Sequence, residues 1–317
     1  MITVEELTDS TPLLGDGDAL RKRWEEDGTL YFKGVIDRDL MKWAEQHYRE
    51  ALAAEDLIDL KDEAPVWTGK HSDTWRPCDA IGTTVWHEVI KQEKLNGILH
   101  ELFEADAAWL PIAAHRSAFP SGPLKEDEDI FAGQHQDAFY NEGMNSTICW
   151  MPVRDVEDMD CGTFALAPGT HKMGTLHSKD LKNYKIPDGT IPRDMWRSTA
   201  YRVGDVVIFR DDTAHAALPN LSNEFRLSLD IRVNSSKAPL PVVGTVESVD
   251  GTNVTILEDD TGDLVTVSVD DETFIRDMNP HPRVPTHEVE RIAYPGARVL
   301  AMAGEDRKAK VLRRNRY

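Results

Sequence analysis

The sequence predicts a mainly β protein, a barrel or jelly roll with helices packed outside it, followed by a small all-β module. Three observations carry this expectation. Apolar residues recur at helical spacing only in the first third of the 317 residues. Between residues 107 and 233 the pattern changes to short β-like runs separated by Pro, Gly and Asp turns. Pro239 and Pro241 then mark a boundary, beyond which hairpin signals dominate. Helices first and many short strands afterwards is the order of a β-barrel or jelly roll with an outer helical layer.

Taken in order, Asp18 is placed to cap a helix that runs through Glu26 and that Gly28 ends, and Asp37 to cap a second that reaches about Glu55. The intervening run 29–33 reads as a short strand. A third helical pattern covers residues 84–105, with Val85, Ile90, Leu95, Leu99 and Phe103 on its apolar positions. Strands are expected over 107–118, 134–140, 146–153, 163–167, 201–210 and 224–233. In the module, 242–249 and 254–257 form a hairpin around Asp250-Gly251, 264–269 follows, and 298–302 pairs with 308–312 around Gly304-Glu-Asp. No internal repeat relates the module to the first part. The expected domains are therefore 1–237 and an accessory β domain over 238–317.

Composition limits the function. With 40% hydrophobic residues the chain can build a sizeable core. It carries 56 acidic against 36 basic side chains, a net charge of −20 with His neutral, which repels phosphate backbones and anionic lipid heads. No nucleic acid and no membrane surface is expected as a partner on this ground. The start MITVEELTDS lacks the basic flank and apolar core of a secretion signal, and no later run resembles a membrane span. Cys78, Cys149 and Cys161 supply neither a C-x-x-C pair nor an even disulfide set, so a reducing, cytoplasmic location is expected.

The chemistry concentrates around His135. In Gly133-Gln-His135-Gln-Asp137 the imidazole and carboxylate stand two residues apart on a strand-like run and so share a face. A third ligand is available 78 residues after Asp137 at His215, behind the apolar strand Gly204-Asp-Val-Val-Ile-Phe209. Two imidazoles and one carboxylate suit Fe(II) that must also bind a co-substrate and dioxygen, although zinc would accept the same set. Arg226 stands eleven residues beyond His215, in the run Phe225-Arg226-Leu-Ser228-Leu-Asp230-Ile-Arg232-Val, which alternates polar and apolar residues. Its polar face would line a cavity in which a guanidinium grips a carboxylate through two parallel hydrogen bonds, with Ser228 adding a third and Arg232 as the next candidate after Arg226. This favours iron.

The sequence resembles the phytanoyl-CoA dioxygenase family of Fe(II)/2-oxoglutarate oxygenases over roughly residues 14–233. The matching parts are Glu26-Asp-Gly-Thr-Leu-Tyr-Phe-Lys-Gly-Val35, His135-Gln-Asp137, Trp150-Met-Pro-Val-Arg-Asp, Gly162-Thr-Phe-Ala-Leu-Ala-Pro-Gly-Thr-His-Lys172, Gly204 to Phe209, and His215 through Asn220-Leu-Ser to Arg226. The resemblance implies a double-stranded β-helix, a cupin-like jelly roll, with Fe(II) on His135, Asp137 and His215. It implies that Arg226 holds the distal carboxylate of 2-oxoglutarate, and that Trp150 and His115 lie beside that co-substrate. Relatives that halogenate replace the carboxylate by Gly or Ala, so Asp137 points away from a halogenase. The implied reaction consumes 2-oxoglutarate and O2, releases succinate and CO2, and hydroxylates a C–H bond of a small molecule.

Other readings stand beside these. A second H-x-D, His71-Ser-Asp73, lies in a turn-rich segment with no partnered strand or Arg, and His87-Glu88 lacks the second His that a zinc protease helix needs at 91. His171 reads as structural, and His177, His281 and His287 as solvated. Trp67, Trp75 and Trp86 read either as a lid over the barrel mouth or as plugs for an irregular loop. The acidic surplus reads as solvated surface, with a preference for cationic substrates as its alternative. The module reads first as a means of joining subunits into a homo-oligomer and second as a wall of the substrate entrance; the basic tail 307–316 is one face of its last strand or a patch for a second subunit. A jelly-roll metal sensor without turnover and a zinc hydrolase are the alternatives to an oxygenase. Arg226 argues against the hydrolase, which needs no carboxylate anchor.

Overall fold

The computed structural model describes residues 2–125, 129–141, 143–178, 185–277 and 283–317. Helix α1 (Gly17–Asp27) is capped by Asp16 rather than Asp18: the Asp16 carboxylate accepts from Ala19 N at 3.0 Å, which leaves Asp18 in the first turn. Gly28 ends it with φ +68°, and a Cβ there would lie 2.4 Å from His171 Nδ1 and 2.6 Å from Thr213 Oγ1. Glycine is thus required twice, by conformation and by space. Helix α2 (Arg38–Ala54) is capped by Asp37 as expected and buries Met41, Ala44, Tyr48 and Leu52 along one stripe.

The single helix expected over 84–105 is two, α4 (Thr84–Val89) and α5 (Glu93–Phe103), preceded by the short α3 (Pro77–Ile81). The break has a local cause. The Asn96 amide donates to the carbonyls of Ile90 and Gln92, at 2.7 and 3.0 Å, and so competes with a continuous helical ladder.

The strands in chain order are β1 (Glu5–Glu6), β2 (Thr29–Phe32), β3 (Ala107–Ala118), β4 (Thr147–Pro152), β5 (Phe164–Leu166), β6 (Arg197–Ser198), β7 (Val206–Arg210), β8 (His215–Ala217), β9 (Arg226–Ser235), β10 (Val242–Asp250), β11 (Asn253–Glu258), β12 (Leu264–Ser268), β13 (Phe274–Arg276), β14 (Arg298–Ala303) and β15 (Ala309–Arg314). A five-stranded sheet, β2-β7-β4-β9-β3, faces a four-stranded one, β1-β6-β5-β8. This is a mainly β double-stranded β-helix, open rather than a closed barrel.

Period-two alternation sorts its side chains. Leu227, Leu229, Ile231 and Val233 of β9 join the core between the large sheet and the helices, together with Leu52, Val85 and Leu99. From the other face of that sheet Tyr31, Ile148, Trp150, Val207 and Phe209 pack with Phe164 and Tyr201 in the interior. Arg226, Ser228, Asp230 and Arg232 fall on this inner face and are all buried.

Residues 134–140 do not form a strand. His135 makes an isolated antiparallel bridge to His215, and Asp137–Phe139 turns into a 3-10 helix. Gln136 explains the departure. Its amide side chain donates to Gly174 O (3.0 Å) and Asp212 O (2.7 Å) and accepts from Leu176 N (2.8 Å), providing by side chain what a neighbouring strand would have supplied.

Residues 242–314 supply a six-stranded sheet, β12-β11-β10-β14-β15-β13. The expected hairpin is present, with Asp250 paired to Asn253 and Gly251 at φ +58°. Strand β13 has no counterpart in the sequence pattern, because three residues leave too little periodicity. One face of the sheet buries Val246, Ile256, Val299 and Leu312 in its own core. Leu300, Met302 and Val311 pack instead against Leu110 and Ile112 of β3 and against Met144, which fixes the module onto the large sheet. All three cysteines are free. Among the described residues no helix is long and apolar enough to cross a membrane.

Candidate active site

His135, Asp137 and His215 converge so that one ligand atom from each lies within 4.8 Å of the others. Backbone pairing brings them together: His135 N–H donates to the His215 carbonyl and His215 N–H to the His135 carbonyl, both at 3.0 Å. The 3-10 turn then swings Asp137 across the pair. Its Oδ1 stands 3.6 Å from His135 Nε2 and 3.9 Å from His215 Nε2.

The donor set fits a divalent cation. His135 Nδ1 lies 2.8 Å from the Gly133 carbonyl and His215 Nδ1 3.0 Å from the Thr213 carbonyl. A carbonyl only accepts, so in both rings Nδ1 carries the proton and Nε2 presents its lone pair inward. Burial, reinforced by His135, pushes the His215 pKa down to about 3, so its imidazole is neutral and ready to ligate. Burial alone would raise the Asp137 carboxyl, but Arg232 and the two histidines outweigh it and hold it well below the usual carboxylate range. The Asp137 oxygens divide their work: Oδ2 accepts from Arg232 while Oδ1 faces the imidazoles.

Arg232, the alternative to Arg226 for gripping a co-substrate carboxylate, is therefore an orienting partner of Asp137, and it also donates to Asp230. Arg116 reaches Asp230 from β3 at 2.9 Å. The alternation of β9 shows that these groups face inward; which carboxylate each guanidinium meets depends on the neighbouring strand.

Arg226 lines the same cavity, of about 660 Å³, as His135 and Asp137. Its Nε donates to Gly162 O at 3.0 Å and Nη1 to Ser228 Oγ, which leaves N–H groups of both terminal nitrogens for an anion. Burial and the nearby Arg116 push its pKa down to about 10, so it stays cationic at neutral pH. Ser228 is thus placed to orient Arg226.

The two other residues that the resemblance puts beside the co-substrate lie in different surroundings. Trp150 does not line the cavity: it is stacked on Phe164 at 4.9 Å in the interior core. His115 borders the cavity, but both of its nitrogens are engaged, Nδ1 with the Tyr48 hydroxyl (2.8 Å) and Nε2 with the Gly82 carbonyl (3.0 Å). Burial pushes its pKa down to about 4.

Other histidines separate as follows. His171 is structural, with Nε2 against Glu25 O at 3.2 Å. His177 is buried, against the expectation of a solvated side chain; its Nε2 accepts from Gln136 N at 2.8 Å and its ring stacks on Phe139 at 4.2 Å. His287 is exposed, and His281 lies outside the described residues. His71 stacks on Phe119 and belongs to no ligand cluster among the described residues. Of the three tryptophans, Trp75 lines the cavity, while Trp67 packs on Phe119 and Trp86 faces Tyr317.

Arginines dominate the cavity wall, and Asp137 is the one acidic side chain lining it among the described residues. The acidic surplus therefore belongs to the outer surface, and the cavity has the opposite sign to that a cationic substrate requires. Arg276, Arg313 and Arg316 of the C-terminal module reach this wall, so the module borders the cavity. Part of the basic tail thus faces inward rather than away.

Comparison with known proteins agrees with this geometry. The 1-deoxypentalenic acid 11-beta-hydroxylase of Streptomyces arenae is 25% identical over 254 residues, covering 74% of this chain and 87% of the relative, and that of Streptomyces exfoliatus is 24% identical over 255 residues with the same coverage. Among solved structures, the epimerase SnoN in complex with Fe3+, alpha ketoglutarate and nogalamycin RO superposes with TM-score 0.50 at 18% identity, covering 69% of this chain and 84% of that one. The non-heme monooxygenase ThoJ gives 0.51 at 15% identity, with 77% and 85% covered. The model of the phytanoyl-CoA dioxygenase family matches residues 24–228, a span that takes in the two facing sheets apart from β1 and most of β9, together with the His135, Asp137 and His215 cluster. The chain belongs to the phytanoyl-CoA dioxygenase family and is an Fe(II)- and 2-oxoglutarate-dependent oxygenase.

Proposed function

We propose that this oxygenase hydroxylates an unactivated C–H bond of a small-molecule substrate, with His135, Asp137 and His215 holding Fe(II) and Arg226 anchoring the distal carboxylate of 2-oxoglutarate. The observation that carries the reading is the inward presentation of two imidazole Nε2 atoms and one carboxylate oxygen, each fixed from behind by a partner of its own. Bound there, Fe(II) with 2-oxoglutarate and O2 supplies the oxidising power for C–H cleavage, and succinate and CO2 leave as co-products.

The protein's own groups do the rest. The Gly133 and Thr213 carbonyls hold the imidazole protons on Nδ1, so each ring turns Nε2 to the metal position. Arg232 keeps Asp137 ionised and turned. Arg226, steadied by Gly162 and Ser228, offers a fork of the shape a carboxylate accepts, in surroundings that exclude water from its flank.

The Streptomyces relatives are named as hydroxylases of an acid, and hydroxylation is the outcome we assign here. We assign the chemistry to residues 1–237, and to 238–317 an accessory role at the entrance, with homo-oligomer formation through the β12 side of its sheet as a second part and the cytoplasm as the place of action. The test is succinate formation from 2-oxoglutarate with Fe(II) and ascorbate. His135→Ala, Asp137→Ala and His215→Ala are expected to abolish turnover and bound iron while the far-UV circular dichroism stays native. Wild-type activity in Asp137→Ala refutes the ligand assignment.

A further inference from the structure

Asn141 lies one turn beyond Asp137, and its amide nitrogen donates to the Asp137 carbonyl at 3.2 Å. Two guanidiniums of the C-terminal sheet converge on its side-chain oxygen, Arg313 from β15 at 2.8 Å and Arg276 from β13 at 3.5 Å. Arg276 also donates to Tyr140 O at 3.1 Å. Two cations thus meet at one neutral amide beside the metal ligands, on the wall of the same cavity.

Three of the neighbouring cations have carboxylate partners. Arg116 pairs with Asp230, Arg232 with Asp230 and Asp137, and Arg316 with Asp79 at 2.8 Å. Among the described residues Arg313 pairs with no carboxylate, and Asn141 is the one hydrogen-bond acceptor it meets. Burial, with Arg276 and Arg232 close by, depresses its pKa well below the usual arginine value. An oxyanion placed against it would relieve both the repulsion and the unmet donors. Apolar side chains share the wall of this cavity, Trp75, Pro111 and Ala113 among them.

We propose that Arg313, with Arg276 beside it, forms a second anion subsite in the active-site cavity that takes a carboxylate or phosphate group of the primary substrate. The inference rests on the oxygenase reading above and deepens it: the substrate is an acid with an apolar body, held at its charged end by the module that lies outside the family match. Arg226, on β9 of the catalytic domain, is left for 2-oxoglutarate.

The test titrates octanoate, octyl phosphate, octanol and octylamine calorimetrically into anaerobic Fe(II) protein saturated with 2-oxoglutarate. At least one of the two anions is expected to bind ten times or more tighter than octanol and octylamine, and which one does so distinguishes a carboxylate site from a phosphate site. Arg313→Gln is expected to remove that preference and to leave the 2-oxoglutarate affinity within twofold. The proposal is overturned if neither anion is preferred, if the preference survives in Arg313→Gln, or if that variant weakens 2-oxoglutarate tenfold, which would make Arg313 a co-substrate anchor. Should Arg313→Gln fail to fold, Arg313→Lys decides. Loss of the planar fork is expected to weaken the preferred anion at least threefold without affecting octanol, and an unchanged anion affinity overturns the proposal. Failure of Fe(II) or 2-oxoglutarate to bind counts against the oxygenase reading alone, because the anion preference is then read with metal-free protein, where loss or survival of the preference in Arg313→Gln decides in the same way.

Discussion

Replacing Arg226 by Gln keeps a polar side chain on β9 and removes the charge and the fork. In the structure Nε is committed to Gly162 O and one Nη1 hydrogen to Ser228 Oγ, so the remaining hydrogens of Nη1 and Nη2 suffice for two parallel bonds to a carboxylate. Each hydrogen bond to a charged partner is worth about 1.5–3 kcal/mol. Two such bonds, lost together, amount to about 3–6 kcal/mol, or roughly two to four orders of magnitude in affinity. The expected result is a rise of that size in KM for 2-oxoglutarate, measured from initial rates of succinate formation at saturating Fe(II). Bound iron should remain at the wild-type level, since Arg226 is no metal ligand, and Arg226→Lys should recover part of the loss through charge alone. A KM within threefold of wild type in iron-replete Arg226→Gln refutes the anchor.

Arg232→Gln should weaken Fe(II) binding roughly 10- to 100-fold, read by competition with a chelator, because Asp137 loses the partner that turns and ionises it; unchanged affinity would refute that role. Burial, opposed by the Ser146 amide and aided by Asp212, raises the Asp211 pKa to about 7. A folded-state pKa above the unfolded value means stability is greatest below about pH 4 and is lost as pH rises through about 7, so Asp211→Asn should gain about 2–4 kcal/mol at pH 8 and little at pH 4 in urea unfolding. A gain that is larger at pH 4 contradicts this sign. Gly28→Ala forces a Cβ into His171 and Thr213 at a left-handed backbone position and should cost about 1–3 kcal/mol. It should also loosen iron binding, because the Thr213 carbonyl orients His215; a lower melting temperature with unchanged iron affinity would show that the strain stays local.

The parts of the site legible in the sequence are those that one strand writes by itself. The alternation of β9 is enough to show Arg226, Ser228, Asp230 and Arg232 facing one way, and the family spacing joins His135, Asp137 and His215. What the sequence conceals is set by contacts distant along the chain. Arg232 meets Asp137 across 95 positions and Arg313 meets Asn141 across 172, and no local pattern encodes either pairing. The surroundings of Trp150 are concealed for a related reason, since an indole in a buried strand looks the same from sequence whether it faces a ligand or a core. The turn at Asp137 reads as strand because its period-two pattern is real; Gln136 satisfies the backbone by side chain, which hydropathy does not register.

The reciprocal bridge between His135 and His215 has a consequence for how this catalyst changes over evolution. Ligand spacing is set by two backbone hydrogen bonds across the fold and owes nothing to the length of chain that separates the two histidines. Loops in that excursion can lengthen, shorten or be exchanged while the distance between the imidazoles stays constant. The same long segment supplies Lys185 to the cavity wall. Substitution at Lys185 is therefore a route to new specificity at an unaltered metal centre, whereas Gly174, Leu176 and His177 hold Gln136 between the ligands and must be kept.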